Sequence, residues 1–504
     1  MNRKSLNLRR RKPPMPNLIR ALCLIGVAGL ISQNVAHLPC AMADGQQENW
    51  KAGLASTVIT PEQPMWMAGY AARTKPSEGK VHDLRAKALA LEDAQGARVV
   101  IVTVDLLGIS RTMRDWLEKE VGRRYKLPPE GLLLSASHTH CGPAVRETKY
   151  SVYGDNFYGL SAEEVQQSDR YADDLQQKLL QLIGRAVENL APARLGYAHA
   201  RAGFAMNRRS KVEKGYQIQP NPDGPVDHDV PVLRVDSPDG KLRAVLFGYA
   251  CHCTTLDFYQ FCGDYAGFAQ EYIEQEHPGT AALFIAGCGG DQNPYPRRGP
   301  RTLEYCMEHG RALANGVEAA LAPRARPVAG PIRAVLDTVT LQFAEPPGPE
   351  QLKEQTKSEN KYERRHAETL LKELEQTGKI QTTYPYLIQV IQFGDDLTVI
   401  ALAGEVVVDY SLRLKAELAR PSTGGLPGRP LWVAAYCNDV FGYLPSLRIL
   451  QEGGYEGGDM MVYTPFPGPF APSVEKLVVD KVHELVRKAR SAEGQPKEAA
   501  VALP

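Results

Sequence analysis

Val99-Val100-Ile101-Val102-Thr103-Val104-Asp105 is followed by helically spaced apolar residues over 110–125, and then by Leu132-Leu133-Leu134-Ser135-Ala136-Ser137-His138-Thr139-His140-Cys141-Gly142-Pro143. A short run of β-branched apolar residues reads as a strand buried on both faces, and a helix between two such runs is the rhythm of an α/β body. The second run ends in two histidines spaced by one residue. In an extended chain alternate side chains share a face, so both imidazoles project together where the strand gives way to a Gly-Pro turn. Neutral imidazole suits a borderline metal such as zinc, and the turn leaves room for water or substrate. Two residues do not by themselves separate a metal pair from polar side chains satisfied at a strand end.

The same rhythm recurs along the chain. A helix is expected over about 169–190, and strands over 230–235, 243–250 and 281–286. Strands over 386–393 and 397–402 pair around Gly394-Asp395-Asp396, a helix over 407–419 leads to a strand over 431–436, and a last helix covers 473–489. The pattern predicts an α/β, mixed α+β, class with chemistry at strand ends. Residues 207–229 and 286–300, rich in Gly, Pro, Asn, Asp and Arg, read as long loops over the site. The charged stretch 349–378 reads as a solvated surface helix.

The first 43 residues stand apart. Seven Lys or Arg and no acidic residue precede an apolar core over 21–31 and then Ala41-Met42-Ala43, the pattern of a secretory signal peptide cleaved near Ala43. The core is short for a bilayer span. Exported protein, periplasmic or secreted, is therefore expected. Without the leader 52 basic residues face 58 acidic ones, a formal charge of −6 that offers no polyanion-binding signature. Nucleic acid is excluded as a partner on that balance, and membrane contact is at most peripheral. Seven cysteines remain after cleavage; they permit bridges but leave one thiol over, and as small apolar residues they also suit a buried site.

Two further residues suit a metal. His252 ends the apolar run Phe247-Gly248-Tyr249-Ala250-Cys251, and Glu405 follows Ile400-Ala401-Leu402-Ala403-Gly404. With a histidine of the pair they would make a His-His-Glu set with a position left for water, while each alone reads more readily as a satisfied structural residue. Gly287-Cys288-Gly289-Gly290 lacks the Lys-Ser/Thr of a phosphate loop. Asp105, at a strand end, suits a partner for a ligating imidazole.

Ser137-His138-Thr139-His140-Cys141-Gly142-Pro143 resembles the Thr-His-Thr-His-Ser-Gly-Pro signature of the neutral/alkaline, non-lysosomal ceramidase family, making the chain a divergent member of that family's N-terminal catalytic domain. Met206-Asn207-Arg208-Arg209-Ser210, the His252 strand, Gly290-Asp291-Gln292-Asn293-Pro294, Ala403-Gly404-Glu405, Phe441-Gly442-Tyr443 and Tyr455-Glu456-Gly457 follow in the family's order, over roughly residues 52–463. The resemblance implies a ceramidase-like catalytic body over 44–490, with mixed β-sheets flanked by helices; the C-terminal β-sandwich that family members often carry is not expected, a departure from the family, and the polar, alanine-rich residues 491–504 read as a disordered tail. The resemblance also implies one Zn2+ per chain held by His138, His252, Glu405 and Tyr443, with His140, Arg208 and Tyr455 around the scissile amide.

The activity so implied is hydrolysis of an N-acyl amide by a zinc-bound hydroxide, on N-acyl-sphingosine or another small-molecule or lipid substrate, since zinc lowers the pKa of bound water toward ~7 and polarises the carbonyl. One departure bears on mechanism. The family has a serine where this chain has Asn293, and an amide cannot be a nucleophile, so an acyl-serine route is excluded there. Asn293 or Asp291 would then position water or substrate, with Asp291 the candidate for handling a proton. Two alternatives stay open: an esterase or deacylase acting on a polar acylated substrate, and a zinc-bearing binding protein without turnover.

Overall fold

The computed structural model describes residues 50–145, 159–297, 301–419 and 428–491, so the expected leader lies outside the described residues, as does the expected tail except Ser491, which ends the helix Val474–Ser491. A nine-stranded sheet runs Ala281–Ala286, Leu242–Tyr249, Asp229–Asp236, Ala191–Arg201, Trp50–Val58, Arg85–Glu92, Arg98–Val104, Leu132–Ala136, with Arg326–Val328 beside Ala191–Arg201. A four-stranded sheet runs Ile332–Gln342, Thr383–Phe393, Leu397–Leu402, Leu431–Ala434. The expected α/β class with mixed sheets and flanking helices is what the structure has.

The sheets pack face to face because their strands alternate between two apolar sides. Val99, Ile101, Leu246, Leu283 and Ile285 of the larger sheet share one cluster with Ile391, Phe393, Val399 and Trp432 of the smaller. The intervening residues Val100, Val102, Val245, Phe247 and Phe284 join a second cluster with Leu117, Leu179, Ile183 and Ile273 of the helices. Burial on both faces is the reason these strands read as unbroken apolar runs.

Three parallel strand pairs set up the site: Arg98–Val104 with Leu132–Ala136, Leu242–Tyr249 with Ala281–Ala286, and Leu397–Leu402 with Leu431–Ala434. Each is joined through a helix, respectively Arg111–Tyr125, Asp264–Glu276 and Val408–Leu418. Parallel pairs connected this way bring their carboxyl ends to one edge, where ligands of α/β sheets bind. Residues 435–438 stitch the two sheets there. Ala435 N–H donates to Ala286 O at 2.9 Å and Asn438 N–H to Leu134 O at 2.8 Å, with Tyr436 and Asn438 at φ 55° and 63°.

Local signals account for the helix bounds and for some differences from expectation. The helix expected from 169 begins at Ala162, because Ser161 and Glu164 form a capping box. The stretch 349–378 is two helices, Pro349–Gln355 and Lys361–Thr377, the second opened by Asn360 and closed by Gly378 in the left-handed region. Residues 207–229 are not simply loop: Ala205–Lys211 and Tyr216–Asn221 form a three-stranded sheet with Gln292–Pro294, on which Arg208 and Asn293 ride. All seven cysteines among the described residues are buried and unbridged, as small apolar residues would be. Among the described residues no helix is long and apolar enough to cross a membrane.

Candidate metal centre

His138 and His140 follow the Leu132–Ala136 strand, but not as an extended continuation of it. The strand ends at Ala136, and His138 takes φ 60°, a left-handed conformation uncommon for a residue with a Cβ. The two imidazoles meet through that turn, with Nε2 atoms 3.2 Å apart. Such strain persists only where the surroundings hold it. Here Ser137 N–H is held by Val104 O, His140 N–H by Cys253 O, and the His138 ring packs, tilted by 36°, 4.5 Å from the Tyr436 ring.

His252 and Glu405 come from the other two strand ends. Glu405 and Tyr443 are register partners in a short parallel pair, which fixes both side chains on one side. Glu405 Oε2 is 3.1 Å from His138 Nε2 and 3.1 Å from His252 Nε2, and Tyr443 Oη is 3.0 Å from His252 Nε2. His138, His140 and His252 each offer a ring nitrogen within 4.8 Å of the others.

The hydrogen bonds behind the rings define what the centre presents. His138 Nδ1–H donates to Leu107 O at 2.7 Å and His252 Nδ1–H to Gly289 O at 2.6 Å. Both Nε2 atoms therefore turn lone pairs toward the same Glu405 oxygen, so acceptors confront an acceptor there, while His252 Nε2 alone also meets the Tyr443 hydroxyl, which can donate to it. Protonation is a poor remedy: burial, aided by Arg208, pushes His252 down to about 4, and burial with the neighbouring histidines pushes His140 well below the usual imidazole range. Burial opposes ionisation of Glu405, yet His138 and His252 hold its carboxyl well below the carboxylate range. A divalent cation fits this donor set, since donors ~2.0–2.2 Å from a tetrahedral ion lie roughly 3.3 Å from each other.

Arg208 buttresses the centre. It donates from Nη2 to Tyr443 Oη at 2.7 Å, from Nη1 to Asn293 Oδ1 at 3.3 Å and from Nε to Glu456 Oε1 at 2.7 Å. Its hydrogen bonds are thus committed to side chains rather than aimed into open space. Tyr455 packs 5.5 Å from Tyr443 by ring centroids, and its Oη has no hydrogen-bond partner among the described residues. Asn293 Oδ1 receives Thr254 Oγ1 as well as Arg208, while its Nδ2 is buried without a partner among the described residues.

Asp291 is placed elsewhere. Its oxygens accept from Val408 N–H at 2.8 Å and Asn207 Nδ2 at 2.9 Å, so it caps the Val408–Leu418 helix and does not touch the histidines. Burial raises its pKa to about 6. Asp105 accepts from Arg85 N–H at 2.9 Å and is no partner to a histidine; the carbonyl two residues on, at Leu107, takes that place.

Several contributors were not legible in the sequence. Tyr436 lies beyond the end of its strand, and Tyr70, 4.8 Å from the His140 ring, comes from a distant loop. Glu456, which also binds Arg209 Nη1 at 2.7 Å, had a signal only in its place beside Tyr455.

Comparison with known proteins places the fold in context. Residues 50–290 match the model of neutral/alkaline non-lysosomal ceramidase, N-terminal. Neutral ceramidases A and B of Dictyostelium discoideum are 26% and 27% identical over 255 and 253 residues, 46% of this chain in each case. These matches span about a third of the relatives' own length, 34% and 33%. A crystal structure of neutral ceramidase from Pseudomonas aeruginosa superposes with a TM-score of 0.67 at 19% identity, over 91% of this chain and 76% of that one. A second solved structure, a ceramidase complexed with C2, gives the same score and identity over 77% of its chain. The sequence match thus holds His138, His140, Arg208 and His252, whereas Asn293, Glu405, Tyr443 and Tyr455 lie where only the fold is matched.

Proposed function

We propose that this chain, a member of the neutral/alkaline non-lysosomal ceramidase family by its match over residues 50–290, is an exported hydrolase of N-acyl amide bonds, acting on a small-molecule substrate through one zinc site at His138, His252, Glu405 and Tyr443. The observation that carries this reading is the pair of buried imidazoles whose Nδ1 protons are given to carbonyls, turning both Nε2 lone pairs on the one Glu405 oxygen. Zinc in such a set supplies a water that ionises near neutral pH and a Lewis acid for the carbonyl.

The protein's own residues supply the rest. In the hydrolysis, water oxygen bonds to the acyl carbon, the C–N bond breaks and a proton passes to the departing amine. His140, with its Nε2 3.2 Å from His138 Nε2, is the imidazole placed to relay that proton to the departing nitrogen. Burial keeps the Tyr455 phenol protonated, so it donates to the oxygen that gains charge, a contribution of ~3 kcal/mol for a well-aimed donor. Arg208 acts through Tyr443 and Asn293, which it orients. Asn293 cannot form an acyl intermediate, so water attacks the amide directly.

Metal analysis of the purified chain, with assays on N-dodecanoyl amides, tests the reading. Stoichiometric zinc and turnover, both lost in His138→Ala/His252→Ala, are expected. Zinc without hydrolysis of any amide or ester would make this a binding protein, and metal content unchanged by the double substitution would overturn the site.

A further inference from the structure

Two arginines linked through neighbouring side chains to Asn293 and His140 have no part in the chemistry above. Arg297 Nη1 donates to Thr254 Oγ1 at 2.7 Å and to Thr254 O at 3.1 Å, and Thr254 Oγ1 donates to the same Asn293 oxygen that receives Arg208. Arg301 Nη1 donates at 2.6 Å to the hydroxyl of Tyr70, the ring beside His140. Each guanidinium is therefore one or two side chains from the proposed reaction centre, and both are half-buried.

Charge does not cancel around Arg297. Arg301 has the exposed Asp257 at 3.3 Å, but Arg297 meets no carboxylate among the described residues. Arg73, 4.8 Å above the Tyr70 ring, is held by the carbonyls of Ala68 and Phe258. Arg208 and Arg209, by contrast, are matched by Glu456 and Glu452. Burial and the adjacent Arg301 push the Arg297 pKa down, whereas Tyr70 and Asp257 hold that of Arg301 up against burial, so the crowding of charge falls on Arg297. An acidic group on a ligand would relieve that crowding, and the guanidinium fork matches a carboxylate in geometry as well as charge.

We propose that Arg297 and Arg301 seat an acidic group of the substrate, so that the chain cleaves N-acyl compounds bearing a carboxylate near the amide, such as an N-acyl amino acid, in preference to an uncharged N-acyl lipid. The proposal rests on the amide-hydrolase reading and deepens it. The unpartnered, buried Nδ2 of Asn293 adds a neutral donor one side chain from Arg297.

The test compares N-dodecanoyl-glycine with N-dodecanoyl-glycinamide and N-dodecanoyl-sphingosine on the zinc-loaded full chain. The acid is expected to be hydrolysed with a kcat/KM about tenfold or more above its amide, a ratio that collapses about tenfold in Arg297→Gln, chiefly through KM, and returns in part in Arg297→Lys. Added salt should also shrink it. A ratio near one in the parent, or unchanged in Arg297→Gln, overturns the proposal. Calorimetric binding of N-dodecanoyl-glycine to the parent and to Arg297→Gln separates the two readings: weaker binding in the variant upholds the acidic seat even if no amide is turned over, and equal binding sinks it.

Discussion

Exchanging Glu456 for Gln removes one negative charge from the interior and leaves two positive ones. Glu456 is 2% exposed, and its oxygens take Arg208 Nε and Arg209 Nη1, each at 2.7 Å. Burial opposes its ionisation, but the two guanidiniums keep the carboxyl below the usual range. Glutamine preserves the volume and turns an amide N–H on a guanidinium, so a donor faces a donor. Arg209 keeps Glu452 and Arg208 keeps its bonds to Tyr443 and Asn293, which softens the loss without neutralising it. Breaking a buried pair from one side destabilises by about 3–5 kcal/mol. With an unfolding entropy near 2.1 cal/mol/K per residue, a body of ~440 residues should melt about 3–6 °C lower. Differential scanning calorimetry of the zinc-loaded protein reads this directly. Asp480→Asn, which breaks the exposed Lys476–Asp480 pair, is the control and should leave the melting temperature unchanged. A shift below about 1 °C in Glu456→Gln would mean that the network does not hold Arg208 in place.

Burial raises the Asp439 pKa to about 6 against the opposing hydroxyl of Tyr384 and the Arg111 guanidinium 3.5 Å away. A carboxyl raised on folding favours the native state below its ordinary pKa, and that contribution is lost as pH rises through 6. Asp439→Asn should therefore gain on the parent between pH 4 and 7 by up to about 3 kcal/mol in urea unfolding, and a constant difference would contradict this. Gly69 has φ +94° and packs on His140, where a Cβ would come 2.5 Å from Nδ1; Gly69→Ala should lower kcat by moving that ring while retaining zinc, and loss of metal would place its effect elsewhere. Zinc at about a hundred times its dissociation constant should stabilise the parent by about 2.7 kcal/mol in chemical unfolding, and His138→Ala/His252→Ala not at all.

Much of the scaffold is legible along the chain because strands buried on both faces must be almost wholly apolar, as 99–104, 281–286 and 397–402 are apart from Thr103 and Thr398. The loops at their ends are legible too, since polar and Gly-rich residues there interrupt the pattern. What periodicity cannot carry is backbone at positive φ. Extended geometry was expected to align His138 with His140, yet a left-handed residue does it, and Tyr436 was read into a strand that stops at Ala434. The short strands bearing Arg208 and Asn293 were read as loop, because they pair with partners far along the chain and bury little apolar surface of their own.

Sequence alone determined the class of fold, the strand ends and the residue types able to bind a metal, since these follow from local spacing and side-chain chemistry. Only the tertiary structure decided which side chains meet. It joined His138, His252, Glu405 and Tyr443, sent Asp291 to cap a helix, and put Leu107 rather than Asp105 behind His138. The physical reason is that buried hydrogen-bonding groups must each find a partner, and the partner found depends on where distant strands end.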